Sequence, residues 1–282
     1  MPTRRRAVLD ERASPRQGAG DGLRTPDLRR VRGRGSNGVP SDTTEPPTPW
    51  RLAPLAIVVL VALTALDPMI GDAVASLPAP LRAGARALTE LGQSTWYLVP
   101  TGIVAIAAPW WARRLGWRAR VAWRHVGAVA LYLFTSIGLT GLGSTLIKHA
   151  IGRARPSLAP TEGHLSFRPI GVDPHWASFP SGHATVAFAV AISLGIVWPR
   201  ARVPLLIAAA CLASTRVLVG AHHLADVLAA LLLALVATGL IARGFARRRL
   251  ALAPDRHGQP VLRGQRVWRV LLADSRPGRV RR

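Results

Sequence analysis

The stretch VGAVALYLFTSIGLTGLGSTLI, residues 126–147, decides how this chain folds. It runs for 22 residues without a charged side chain, and a bilayer core takes about 20 apolar residues per helix. Comparable stretches flank it: residues 52–66 (extendable to 70), 95–111, 183–199, 203–221 and 227–242 are apolar over most of their length. One short run of this kind would serve equally as a buried helix of a soluble protein, because periodicity does not separate the two. Six in succession are hard to house in a water-soluble domain. The chain therefore reads as all-α, a polytopic membrane helical bundle of six transmembrane helices. Trp50, Trp96, Tyr97, Trp110, Trp111, Trp123 and Trp198 fall at or near the ends of these runs, where an amphipathic ring sits at headgroup level. Ordinary core packing is the plainer reading of each.

Composition divides the chain into three. Residues 1–48 form a basic arm rich in Arg, Pro, Gly, Ser and Thr, with too little apolar surface to offset the entropy of ordering, and are expected to be disordered. Residues 49–243 are the membrane domain, and residues 244–282 a second basic tail. A net charge of +23 first suggests nucleic acid, but the basic residues concentrate outside the apolar core. Basic segments beside spans suit anionic lipid headgroups and an inside-facing topology better than a DNA groove. With the N-terminus inside, the inner segments hold 30 of the 37 basic residues, and the outer side holds Arg82, Arg86, Lys148, Arg153, Arg155, Arg168 and Arg216. The expected topology is N-in and C-in, in the plasma membrane. A basic leader, an apolar run and Ala73-Val74-Ala75 have the outline of a cleaved signal peptide, but the leader is too long for one. Cys211 is the only cysteine, so it forms no intrachain disulfide and leaves the redox compartment unread.

Charges near bilayer depth cost roughly 2.5–3.5 kcal/mol each on the insertion scale and are usually functional. The six-span map leaves Lys148, His183, Arg216, His222 and Asp226 at span ends, which by parity all face one side. Lys148 is the only lysine beside 36 arginines. Snorkelling at a helix end explains it alone, but its surroundings favour chemistry. If the helix continues to Pro156, Lys148 and Arg155 share a face two turns apart. Pro180-Ser181-Gly182-His183 is a helix-start signal with Ser181 at the N-cap. Such a start offers free N–H groups and a positive dipole end to an anion, and Gly182 allows close approach. His222 and Asp226 stand four apart, so on one helix the carboxylate would reach a ring nitrogen and leave the other free to attack. His223 then points elsewhere.

These residues resemble the type 2 phosphatidic acid phosphatase family, which shares a site with vanadium haloperoxidases and bacterial acid phosphatases. The family signature is Lys, six residues, Arg-Pro; then Pro-Ser-Gly-His; then Ser-Arg, five residues, His, three residues, Asp. Here it reads Lys148 with Arg155-Pro156, then Pro180-Ser181-Gly182-His183, then Thr215-Arg216 with His222 and Asp226. Thr215 replaces the usual Ser but keeps a hydroxyl. The resemblance implies that His222 is the nucleophile, Asp226 its orienting partner and His183 the general acid. It implies that Lys148, Arg155, Ser181, Gly182 and Arg216 hold the phosphate. The activity implied is hydrolysis of a lipid phosphate or diphosphate through a phosphohistidine at the outer face, with undecaprenyl diphosphate, phosphatidic acid or phosphatidylglycerophosphate as substrate.

No cofactor or metal is expected. Between residues 126 and 242 the only carboxylates are Glu162, Asp173 and Asp226, too few for a two-metal site of hard oxygen ligands. A zinc site on His183, His222 and His223 would leave Lys148, Arg155 and Arg216 uncompensated. A vanadium-dependent haloperoxidase and a non-catalytic membrane scaffold with basic tails are the rival functions. Arg113, Arg114, Arg118, Arg120 and Arg124 read as topology signals. His164 and His175 read as solvated in an outer loop, residues 157–179, that with Trp176 and Phe179 shapes substrate entry.

Overall fold

A long helix, α5 (Trp117–Ile151), carries the 22-residue apolar stretch in its interior. The computed structural model describes residues 53–264; the expected disordered arm, residues 1–48, and the end of the basic tail, residues 265–282, lie outside the described residues. Before α5 come α1 (Ala53–Thr64), α2 (Asp67–Ala75), α3 (Ala79–Thr89) and α4 (Thr95–Ala112). After it come a single turn α6 (Ala159–Glu162), then α7 (Gly182–Val197), α8 (Arg202–Leu218) and α9 (Leu224–Arg247), and last a small antiparallel hairpin, β1 (Leu252–Pro254) with β2 (Pro260–Leu262).

Each apolar run of the sequence falls on a helix. Among the described residues, three stretches are long and apolar enough to cross a membrane: Trp117–Ile151, Pro199–Leu218 and Leu224–Arg247. The bent pair α1 and α2, turning by 46°, makes a fourth if it counts as one span, and Gly182–Val197 is apolar but shorter. The first run therefore breaks near Leu66 rather than continuing straight. Pro68 sits in the first turn of α2, where its missing N–H costs no helical hydrogen bond.

Helix α7 is the centre of the bundle. It packs against α5, α8 and α9, and Ala184, Ala187, Phe188, Ala189 and Ala191 are buried with Ala209, Ala213, Ala230 and Ala234 of its neighbours. Small side chains let backbones approach, and van der Waals contact then holds the helices where apolar surface alone gives no drive to associate. Hydroxyls add cross-links: Ser136 Oγ of α5 lies 2.7 Å from Ser193 Oγ of α7, and Thr185 Oγ1 donates to Ser144 Oγ at 3.3 Å. Large apolar side chains face outward instead, among them Ile57, Val61, Ile106, Leu146, Ile207 and Leu240. Exposed to water this would be an aggregating surface; against lipid it is the expected one. The hairpin closes the opposite end from Lys148, with Leu252 buried beside Tyr132 and Ala242.

The segment between α5 and α7 is pinned at several points. Gly152 ends α5 at φ 63° and ψ 44°, and a Cβ there would lie 1.8 Å from the Arg168 carbonyl oxygen, so only glycine fits. From that point the chain runs antiparallel to residues 166–168, with Ala154 N–H donating to Ser166 O at 2.9 Å and Arg168 N–H to Gly152 O at 2.7 Å. Helix α5 thus stops before Arg155. Lys148 lies on the helix and Arg155 on the extended strand beyond it, which replaces the shared helical face expected from spacing.

Candidate active site

Four helix ends meet at one end of the bundle: the C-termini of α5 and α8 and the N-termini of α7 and α9. The backbones lock directly, since Ser181 N–H donates to Asp226 O at 3.1 Å and Ser178 N–H to Arg153 O at 3.1 Å. Lys148, Arg155, Ser181, Gly182, His183, Arg216, His222 and Asp226, scattered over 79 positions, are all drawn to this end.

His222 does not lie on α9. It precedes the helix, which starts at Leu224 with His223 at the N-cap and Asp226 in the first turn. Its Nδ1 is 2.8 Å from the Ser178 carbonyl oxygen and 3.8 Å from Asp226 Oδ2. A carbonyl only accepts, so Nδ1 carries the proton and Nε2 keeps its lone pair. The direct partner of the ring is thus a backbone carbonyl, and Asp226 acts one step further out. The imidazole is 3% exposed. Burial pushes its pKa down to about 4; Asp226 opposes this, and Arg155 and Arg216 add to it. The ring is neutral near pH 7, the form a nucleophile requires.

Asp226 is wholly buried and accepts from three donors: Arg153 Nη1 at 2.7 Å, Ser178 Oγ at 2.5 Å and His223 N–H at 2.9 Å. Arg153, 2% exposed, also donates through Nη2 to Asp67 Oδ2 of α2 at 2.8 Å and to the His164 carbonyl at 3.1 Å. Asp67 receives the Ala225 N–H as well, at 3.4 Å. One guanidinium therefore ties α2, the loop carrying His164 and the start of α9 together. Arg153, Asp67 and Ser178 were not singled out by motif spacing. The only sequence signal for Arg153 was its expected place among the few outer-side cations; Asp67 carried none.

Asp226 is committed to Arg153, and among the described residues no carboxylate forms an ion pair with Lys148, Arg155 or Arg216. The Arg155 side chain donates only to backbone carbonyls, Pro174 O at 2.8 Å and Ala221 O at 3.5 Å. Arg216 Nη1 donates to Thr89 Oγ1 at 2.9 Å, while its buried Nε has no partner among the described residues. Lys148 Nζ stands 3.1 Å from where a Cβ on Gly182 would be, so the ammonium rests against the start of α7. Ser181 occupies the N-cap position but makes no capping bond, and its buried Oγ has no partner among the described residues. His183 in the first turn of α7 feels the charges of Arg216, His222, Lys148 and Arg155. Thr215 turns its hydroxyl to the Leu212 carbonyl at 2.6 Å. Among the described residues no three His, Cys, Asp or Glu side chains gather as metal ligands.

Cations without an ion pair, buried polar groups without a partner among the described residues, and a helix N-terminus around a neutral imidazole make a site suited to an enzyme that handles phosphate. Comparison with known proteins leads to the same class. The family model described as PAP2 superfamily matches residues 129–250. A lipid A 1-phosphatase of Rhizobium johnstonii is 34% identical over 220 residues, covering 74% of this chain and 87% of that protein. A lipid A 1-phosphatase of Rhizobium etli is 34% identical over 189 residues, covering 66% and 81%. A crystal structure described as the first transmembrane PAP2 type phosphatidylglycerolphosphate phosphatase, from Bacillus subtilis, is 24% identical with a TM-score of 0.49, covering 71% of this chain and 96% of that one. The chain belongs to the PAP2 superfamily and is a membrane lipid phosphatase, a phosphoric ester hydrolase.

Proposed function

We propose that the protein removes a phosphate from a lipid headgroup at the outer face of the plasma membrane, through a phosphohistidine on His222. In this reading six spans (α1 with α2 as one, then α4, α5, α7, α8 and α9) cross the bilayer with both termini inside, and anionic lipids attend the basic segments. One observation carries the proposal: three cations, an unpartnered buried Ser181 hydroxyl and the α7 N-terminus converge beside an imidazole whose proton is held on Nδ1.

The chemistry follows from that arrangement. Lys148, Arg155, Arg216, the Ser181 hydroxyl and the Gly182 amide take the phosphoryl oxygens and balance the charge that builds in the transition state. Nε2 of His222 attacks phosphorus, a new N–P bond forms, and the P–O bond to the leaving group breaks. His183, charged by a proton it takes up once the anionic substrate offsets the surrounding cations, gives that proton to the departing oxygen, worth about 10² to 10⁴ in rate for a well-placed acid. Neutral again, His183 takes a proton from the water that attacks phosphorus. The N–P bond then breaks and phosphate leaves. Asp226 positions His222 through Ser178 and the α9 start.

The activity named for the two Rhizobium relatives puts a glycolipid phosphate such as lipid A first among substrates, ahead of undecaprenyl diphosphate, phosphatidic acid and phosphatidylglycerophosphate. The test is phosphate release by purified full-length protein across this panel, wild type beside His222→Ala. Release from at least one lipid by wild type and none by the variant is expected. Equal release by both would remove His222 as the nucleophile.

A further inference from the structure

A cavity of about 550 Å³ opens from His222 towards α3. Its wall includes Arg82 and Arg86 of α3, Asp72 of α2, and Ser157 and His164 of the outer loop. A bare phosphate needs no such space; the volume lies in the range that accepts a ligand of drug or sugar size. The two arginines are four apart on α3 and so share a face. Leu81 and Leu88, both exposed, lie about 100–160° round the helix from them. The helix therefore turns its leucines outward and its arginines to the cavity.

The outer-side cations can be assigned one by one. Lys148, Arg155 and Arg216 face the phosphate position. Arg153 is held by Asp67 and Asp226, and Arg168 lies over the Trp176 ring at 4.5 Å. Arg82 and Arg86 remain, and among the described residues neither guanidinium has a hydrogen-bond or ion-pair partner. Their helix is not loosely attached: Thr89 of α3 accepts from Arg216 at 2.9 Å, so the arginine pair is coupled to the phosphate cradle itself.

We propose that Arg82 and Arg86 form a second anion subsite, which holds a phosphate carried by the leaving group of the substrate. The enzyme then prefers lipids whose polar headgroup bears two phosphates, one transferred to His222 and one gripped by α3. Asp72, on the same wall, suits the hydroxyls of a sugar between them. The inference rests on the phosphatase reading and adds the substrate class to it.

The experiment compares kcat and KM of the full-length protein in detergent on two probes, a lipid disaccharide with two phosphates and the same lipid with one. A polyprenyl diphosphate beside its monophosphate shows whether the second phosphate acts when adjacent to the first or only at a sugar's distance. Wild type should favour the doubly phosphorylated member of at least one pair by about tenfold or more in kcat/KM, as charge-assisted contacts usually give. Arg82→Gln with Arg86→Gln should raise KM for that lipid about tenfold with kcat within about twofold. The Lys pair should restore most of the preference. Wild type that cleaves both members of each pair equally overturns the second subsite and leaves the phosphatase reading intact. Release from none of the probes overturns both. A preference that survives in the Gln double variant, confirmed folded by its thermal transition, also overturns the subsite.

Discussion

Replacing Arg153 by Met should damage both stability and activity, although Arg153 touches no substrate. The side chain is 2% exposed, and its guanidinium serves Asp226 at 2.7 Å, Asp67 at 2.8 Å and the His164 carbonyl through two further contacts of 3.1 and 3.2 Å. Met fills similar volume but leaves two buried carboxylates without a cation and one carbonyl without a donor. Removing one member of a buried ion pair costs about 3–5 kcal/mol. With one cation serving two carboxylates the upper end is expected, against a total stability of order 5–15 kcal/mol for a domain. At roughly 2–4 °C per kcal/mol for a chain of this size, Tm in detergent should fall by roughly 6–20 °C. Activity should fall with it, because Asp226 loses the donor that holds it against Ser178, whose carbonyl holds His222. Adding Asp67→Asn removes one of the stranded charges and should recover part of the loss, a coupling of at least about 1 kcal/mol in the double-mutant cycle. An Arg153→Met protein that melts within two degrees of wild type, with unchanged kcat/KM, would refute the argument.

Other substitutions separate positioning from chemistry. Gly182→Ala should lower kcat/KM about tenfold while leaving the thermal transition nearly in place, since the new Cβ would press on Lys148 Nζ at 3.1 Å and the flexible ammonium can yield; normal kinetics would show that this amide and ammonium need no close approach. Asp226→Asn should be worse than loss of charge alone predicts: the carboxylate accepts from Arg153, Ser178 and His223 N–H, and an amide turns one of those contacts into donor against donor. A severe drop in kcat with part of substrate binding kept is expected, and full activity would take Asp226 out of the mechanism. The buried His222 ring, with a pKa of about 4 against 6.5 when unfolded, binds fewer protons in the folded state. Its contribution is therefore present above pH 6.5 and lost as pH falls through 4, up to about 3 kcal/mol. Thermal unfolding of wild type should weaken over that window more steeply than that of His222→Asn, and parallel curves would contradict the burial argument. EDTA should leave phosphate release unchanged and vanadate should inhibit it, as the donor set of cations and a histidine requires; strict dependence on magnesium would argue against the proposed chemistry.

The helices, and the residues proposed for the site, were legible in the amino-acid chain before any packing was known. Apolar runs long enough for a bilayer identify helices whatever their partners, because a backbone in lipid must satisfy its own hydrogen bonds. The fixed spacings around Lys148, His183 and His222 carried the family resemblance that proposes these residues as the reacting groups. The tertiary structure alone decided who holds whom. Spacing suggested one helix for His222 and Asp226 and one for Lys148 and Arg155; in each pair the helix boundary falls between the two residues, since Gly152 and the His223 cap set those boundaries. Arg153 could not be told from Arg155 by composition, yet one is sealed between two carboxylates and the other donates to open carbonyls. Asp67 lies 86 positions from Arg153 and Ser178 lies 44 from His222. Contacts at such separations leave no periodic trace in the chain, because they arise only when packed helices bring their ends together.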